Sequence, residues 1–94
     1  MPPMPVADSI ERKLAAGLAP TRLTVIDQSH LHAGHAGARP GGETHFRVDI
    51  VSTKFRGMTR MARQREVHRI LADELAGPVH ALSIAARTPE EADA

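Results

Sequence analysis

The spacing of apolar residues changes period along the chain, and each change marks an element. Ile10, Leu14 and Leu18 recur every four residues and draw one stripe along an α-helix. Asp8-Ser9-Ile10-Glu11 offers a capping oxygen with a carboxylate three residues on, so the helix is expected from Asp8, with Gly17 and Pro20 ending it. Leu23 to Ser29 carries β-branched Thr24, Val25 and Ile26 between turn formers and predicts a strand of about six residues. Between Thr44 and Ser52 the polarity alternates: Phe46, Val48 and Ile50 face one way, His45, Arg47 and Asp49 the other. That is the period of a half-buried strand. Gly57 marks a turn, and Val67, Ile70, Leu71 and Leu75 then fall at helical spacings in a helix expected from about Thr59 to Leu75, stopped by Gly77-Pro78. Val79 to Ala86 is apolar and reads as a last strand.

The order helix, strand, strand, helix, strand predicts an α+β fold, a two-layer sandwich whose three-stranded sheet carries helices on one face, with room for an extra short helix before the long one. The first two strands form a hairpin with an oversized tip, and the third joins the sheet through the long helix as a crossover. Residues 1–6 hold three prolines and are expected to be disordered, 7–89 to form the domain, and the acidic 90–94 to fray.

Composition narrows this picture. Ninety-four residues suit a single small domain, and with 41% hydrophobic but only 2% aromatic residues its core must be aliphatic, filled out by methionine around Phe46 and Phe55. Twelve Lys and Arg against eleven Asp and Glu leave +1, too little by itself to argue for a polyanion partner. No apolar run approaches the roughly 20 residues of a membrane span, and Met1-Pro2-Pro3-Met4-Pro5 lacks the regions of a signal peptide. The chain reads as soluble and cytoplasmic, with no membrane contact. Its lack of cysteine agrees with a reducing compartment.

Candidate chemistry lies in the histidines. His30, His32 and His35 share a segment in which Gly34, Gly37, Pro40, Gly41 and Gly42 exclude a regular element. Imidazole is a common metal ligand, and without cysteine any thiolate at such a centre must come from a partner. A private zinc site on the three loop histidines is weak, having only nitrogen donors on a glycine-rich loop. Taken alone, His80 reads as a strand histidine satisfied by the backbone, and His45 and His68 as packing or surface residues. Arg56, Arg60, Arg63, Arg65 and Arg69 concentrate positive charge on the turn and long helix. A solvated helix face accounts for them, though a basic stripe beside a glycine turn also suits DNA. No Ser/His/Asp arrangement, P-loop or dinucleotide fingerprint is present, so an enzyme is not expected.

Several stretches resemble the BolA-like family: Leu23 to Ser29, Glu43-Thr44-His45-Phe46-Arg47-Val48, Val51 to Gly57, Leu71 to Leu75, and Pro78-Val79-His80-Ala81-Leu82-Ser83-Ile84. Together they cover nearly everything from Val6 to Pro89. The resemblance implies a class II KH-like fold without the GxxG clamp. It also implies a monothiol glutaredoxin partner and a [2Fe-2S] cluster shared with it and with glutathione, with none held by the isolated protein. The implied ligands are His80 and one loop histidine: His32 first, His35 second, His30 less favoured. A runner-up drawn from the same family is a DNA-binding transcriptional regulator using Arg56, Arg60, Arg63 and Arg65, and a weak homodimer of the apo protein is a further implied partnership. One departure stands out: many members have Arg-His-Arg in the long helix, and this chain has Arg63-Gln64-Arg65.

Overall fold

A computed structural model describes residues 5–28 and 44–93. Element order is α1 (Val6–Leu18), β1 (Arg22–Asp27), β2 (His45–Val51), a short 3-10 helix (Thr53–Phe55), α2 (Arg60–Ile70), α3 (Ala72–Ala76), β3 (Ala81–Arg87) and α4 (Pro89–Ala92). The sheet runs β1-β2-β3, antiparallel between β1 and β2 and parallel between β2 and β3. Val25 lies opposite Val48, which in turn lies beside Ile84, so Leu23 and Val25, Phe46, Val48 and Ile50, and Leu82 and Ile84 share one face, while Ile26 is exposed on the other. Against that face pack Ile10, Leu14 and Leu18 of α1, Val67 of α2, Leu71, and Phe55 of the 3-10 helix. The α+β sandwich and its extra short helix are as the pattern predicts.

Helix α1 starts at Val6, two residues before the expected Asp8, and Pro5 rather than a side-chain oxygen precedes it. Ser9 is therefore inside the helix, where its hydroxyl donates to Glu74 Oε2 at 2.7 Å. The helix ends at Ala19, whose φ of 42° is left-handed, with its N–H on Ala15 O. Gly17 serves packing rather than termination: a Cβ there would sit 3.0 Å from Ile70 Cδ1, so the missing side chain lets α1 approach α2.

The long helix is broken. Leu71, at φ −99° and ψ 21°, separates α2 from α3, and the turn swings Glu74 beneath α1. There Glu74 is 8% exposed and accepts from Ser9 and Lys13, the Lys13 ammonium lying 2.9 Å away. Burial pushes this carboxyl up, but the hydrogen bonds from Lys13 and Ser9 outweigh it and hold it below the ordinary carboxylate range. Strand β3 is also shorter at its start than expected, since Val79 and His80 precede it.

The C-terminus departs furthest from expectation. Instead of fraying from residue 90, Pro89–Ala92 closes a helical turn with a capping box between Thr88 and Glu91. At the other end Val6 is already helical, and residues 1–4 lie outside the described residues. The core is aliphatic around Phe46 and Phe55 as composition requires. Methionine contributes little to it: Met58 packs against the core and Met61 is 64% exposed. Met1 and Met4 lie outside the described residues.

Candidate metal centre

Parallel pairing of β2 and β3 brings two histidines 35 positions apart in sequence to one corner of the sheet. His45 opens β2 and pairs in register with Ala81, so the residue just before β3, His80, falls beside it. The two rings stack with centroids 6.4 Å apart and planes 23° from parallel. The His80 backbone is pinned, its N–H donating to Thr44 O at 2.7 Å, while Val79 N–H donates to Glu74 O at 3.0 Å. The His80 side chain itself is exposed. His45 Nδ1 lies 2.8 Å from Thr44 Oγ1, a contact that orients the ring.

The strand ends flanking residues 29–43 reach the same corner. Gln28 N–H donates to His45 O at 2.7 Å, and Thr44 accepts from both His80 and Ala81. The candidate ligands His30, His32 and His35 lie outside the described residues, but both ends of the segment that carries them are tied beside His45 and His80. Among the described residues no three His, Asp or Glu side chains cluster as a metal site. This chain's described part thus offers paired imidazoles, not a closed coordination shell.

His45, expected to be a packing or surface residue, stands in this corner. Its signal was present in the alternation but needed the parallel register to become meaningful. His68 is exposed on α2, as expected.

The basic stripe divides. Arg56 forms a two-pronged ion pair with Glu90, at 2.8 and 2.5 Å, which holds the Glu90 carboxyl below its usual range. Arg63 is 12% exposed: it donates to Met58 O and Ala86 O at 3.1 Å and to Glu91 at 2.6 Å, with its guanidinium carbon 5.9 Å from the centre of the Phe55 ring. The Arg63 guanidinium and the Thr88 N–H hold the Glu91 carboxyl down to about 2. Arg56 and Arg63, read first as part of a solvated face and only in the runner-up reading as nucleic-acid contacts, therefore fasten α4 to the body of the fold. Arg60 and Arg65 remain exposed, without an ion pair among the described residues; Arg65 touches Met61 Sδ at 3.4 Å. Gln64, at the position of the family's helical histidine, donates to Ile84 O at 3.1 Å and ties α2 to the sheet.

A three-stranded mixed sheet backed by helices, with an exposed histidine entering its last strand, defines a small α+β module of the kind the motifs suggested. The family model described as "BolA-like protein" matches residues 14–91, and the chain belongs to the BolA-like family. It is 49% identical over 87 residues to BolA-like protein 1 of Homo sapiens, across 93% of this chain and 61% of that protein. The chain thus spans about three fifths of the length of that relative and of BolA-like protein 1 of Pongo abelii. Among solved structures, BolA1 from Arabidopsis thaliana superposes with TM-score 0.83 at 39% identity, covering 95% of this chain and 98% of that one. The BolA domain of SufE1 from the same plant gives 0.84 at 42%, covering 96% and 99%. No helix among the described residues is long and apolar enough to cross a membrane.

Proposed function

We propose that this chain is a non-catalytic adaptor that docks on a monothiol glutaredoxin and contributes His80 and a loop histidine to a [2Fe-2S] cluster shared with that partner and with glutathione. Its role is then iron–sulfur cluster trafficking or iron-linked regulation in the cytoplasm. The occurrence of a BolA domain in a SufE-like protein supports an iron–sulfur role. The observation that carries the reading is the corner itself: an exposed His80, backed by the His45 ring, beside both ends of the histidine-bearing segment. Counted forward from Asp27-Gln28-Ser29, the family resemblance favours His32 as first loop ligand, with His35 and then His30 as alternatives.

The donor set suits the assignment. This chain brings imidazoles and no thiol, so the sulfur ligands come from glutaredoxin and glutathione. Replacing thiolate by neutral imidazole removes negative charge from the centre and raises its reduction potential when the cluster is bound. On this side His80 presents its ring, Thr44 fixes the backbone behind it, and the His45 ring lies alongside with its centroid 6.4 Å away.

Mixing the protein with a monothiol glutaredoxin, glutathione, iron and sulfide is expected to give a heterodimer with visible absorption and circular dichroism that neither protein alone reproduces. His80→Ala should bleach that spectrum, and of the single loop variants His32→Ala should change it most. An unaltered spectrum from His80→Ala removes His80 from the centre. Duplex-DNA regulation is the second reading. It rests on Arg60 and Arg65 now that Arg56 and Arg63 are engaged, and steeply salt-dependent duplex binding lost in Arg60→Ser would favour it.

A further inference from the structure

Strand β3 is one of the sheet's two edges, and its backbone shows which atoms face out. Ala81 N–H donates to Thr44 O and Arg87 O accepts from Ser52 N–H, so the odd-numbered residues face β2. The even-numbered Leu82, Ile84 and Ala86 therefore turn their N–H and C=O groups away from the sheet. Helix α2 covers two of these carbonyls, Gln64 donating to Ile84 O and Arg63 to Ala86 O. It leaves the Leu82 C=O and the Ile84 N–H without a partner among the described residues. Those two groups flank one position on the outer edge. They form the acceptor and donor pair that a single extended residue laid parallel to β3 would satisfy.

That edge lies in a groove of about 660 Å³ between β3 and α2. Its side-chain walls include Arg47, Arg60, Gln64 and Arg87, and no carboxylate lines it. Arg47 is shared with Asp49, while Arg60 and Arg87 carry no ion pair among the described residues. Next to this groove the protein already shows how it takes acidic chain: Arg56 and Arg63 hold Glu90 and Glu91 of α4.

The geometry points to this groove as a docking site for an extended acidic peptide segment of a partner protein, paired with the Leu82–Ile84 edge through its backbone and with Arg60 and Arg87 through its carboxylates. Nucleic acid fits the groove less well: no aromatic side chain lines it for base stacking, and a sugar-phosphate chain cannot supply the alternating N–H and C=O that the edge requires. The inference does not depend on the cluster reading, and its test contains no iron.

The probe is a fluorescein-labelled peptide of about eight residues alternating Glu and Val. It is compared with its Glu→Gln counterpart, with the same peptide N-methylated at alternate residues, and with a single-stranded oligodeoxynucleotide of equal charge. Binding is followed by anisotropy and by amide shifts of the full chain. Saturable binding of the acidic peptide is expected, with shifts centred on Leu82 to Arg87. Affinity should fall at least about tenfold on N-methylation and in the Arg60→Ser/Arg87→Ser double variant, whose spectrum otherwise stays that of the folded protein. The proposal is overturned if the acidic peptide fails to saturate by about 1 mM, if the double variant binds it equally, if the shifts map elsewhere, or if only the oligonucleotide binds.

Discussion

Replacing Arg63 separates a structural strut from a nucleic-acid contact. The side chain is 12% exposed and donates to two backbone carbonyls, Met58 O and Ala86 O, while lying over Phe55. Each of those hydrogen bonds is worth about 1–1.5 kcal/mol net, and the cation–π contact about 0.5–1 kcal/mol. The ion pair with Glu91 is open to solvent on the carboxylate side and is left out of the sum. Allowing for water that rehydrates the two carbonyls once the side chain is gone, Arg63→Ala should cost about 2–3 kcal/mol. For a domain of this size that is a fall of roughly 10–20 °C in Tm. Arg60→Ala, on the same helix but exposed, should stay within about 0.5 kcal/mol of the parent. Arg63→Lys should recover only part of the loss, because a point ammonium cannot reach both carbonyls in the guanidinium's fork. Urea unfolding followed by far-ultraviolet circular dichroism measures all three. Equal midpoints for Arg63→Ala and Arg60→Ala would refute the strut.

Ser52 is fully buried, with its hydroxyl donating to Leu18 O at 2.6 Å and accepting from Lys54 N–H, so Ser52→Ala should lower stability by about 1–3 kcal/mol in the same titration. Glu74 has a lowered folded pKa, so its ion pair with Lys13 contributes fully above its unfolded value and is lost as pH falls through the folded one. Glu74→Gln should therefore lower the urea midpoint at pH 7 and flatten its decline in acid; an unchanged acid limb would show that the pair is not responsible. For Glu91, depressed from 4.5 to about 2, the same sign holds: α4 stays fastened above about pH 4.5 and loosens as pH drops toward 2, visible as faster exchange of the Ala92 and Asp93 amides.

The strands were legible because alternation is local: Phe46, Val48 and Ile50 announce a buried face without reference to anything distant. The break at Leu71 was not, because Leu71 and Leu75 keep helical spacing across it. What turns the chain there accompanies a contact with α1 through Glu74, more than sixty residues from Ser9 and Lys13, which no local window contains. The acidic end misled for a related reason. Glu90 and Glu91 look like a solvated tail until Arg56 and Arg63 are known to face them, and Thr88 then completes the cap. At the candidate centre, His80 was legible through the family's motifs rather than through its surroundings. The nearness of His45 to His80 was hidden because it depends on which strand β2 pairs with and in which direction.

The corner can form only late in synthesis, because its two histidines are 35 residues apart in sequence. His45 emerges from the ribosome 35 residues ahead of His80, and β3 cannot pair with β2 until the intervening α2 and α3 have been made. A truncated or half-finished chain exposes one ring without its neighbour. The two imidazoles therefore come side by side only in a molecule that has paired β3 with β2.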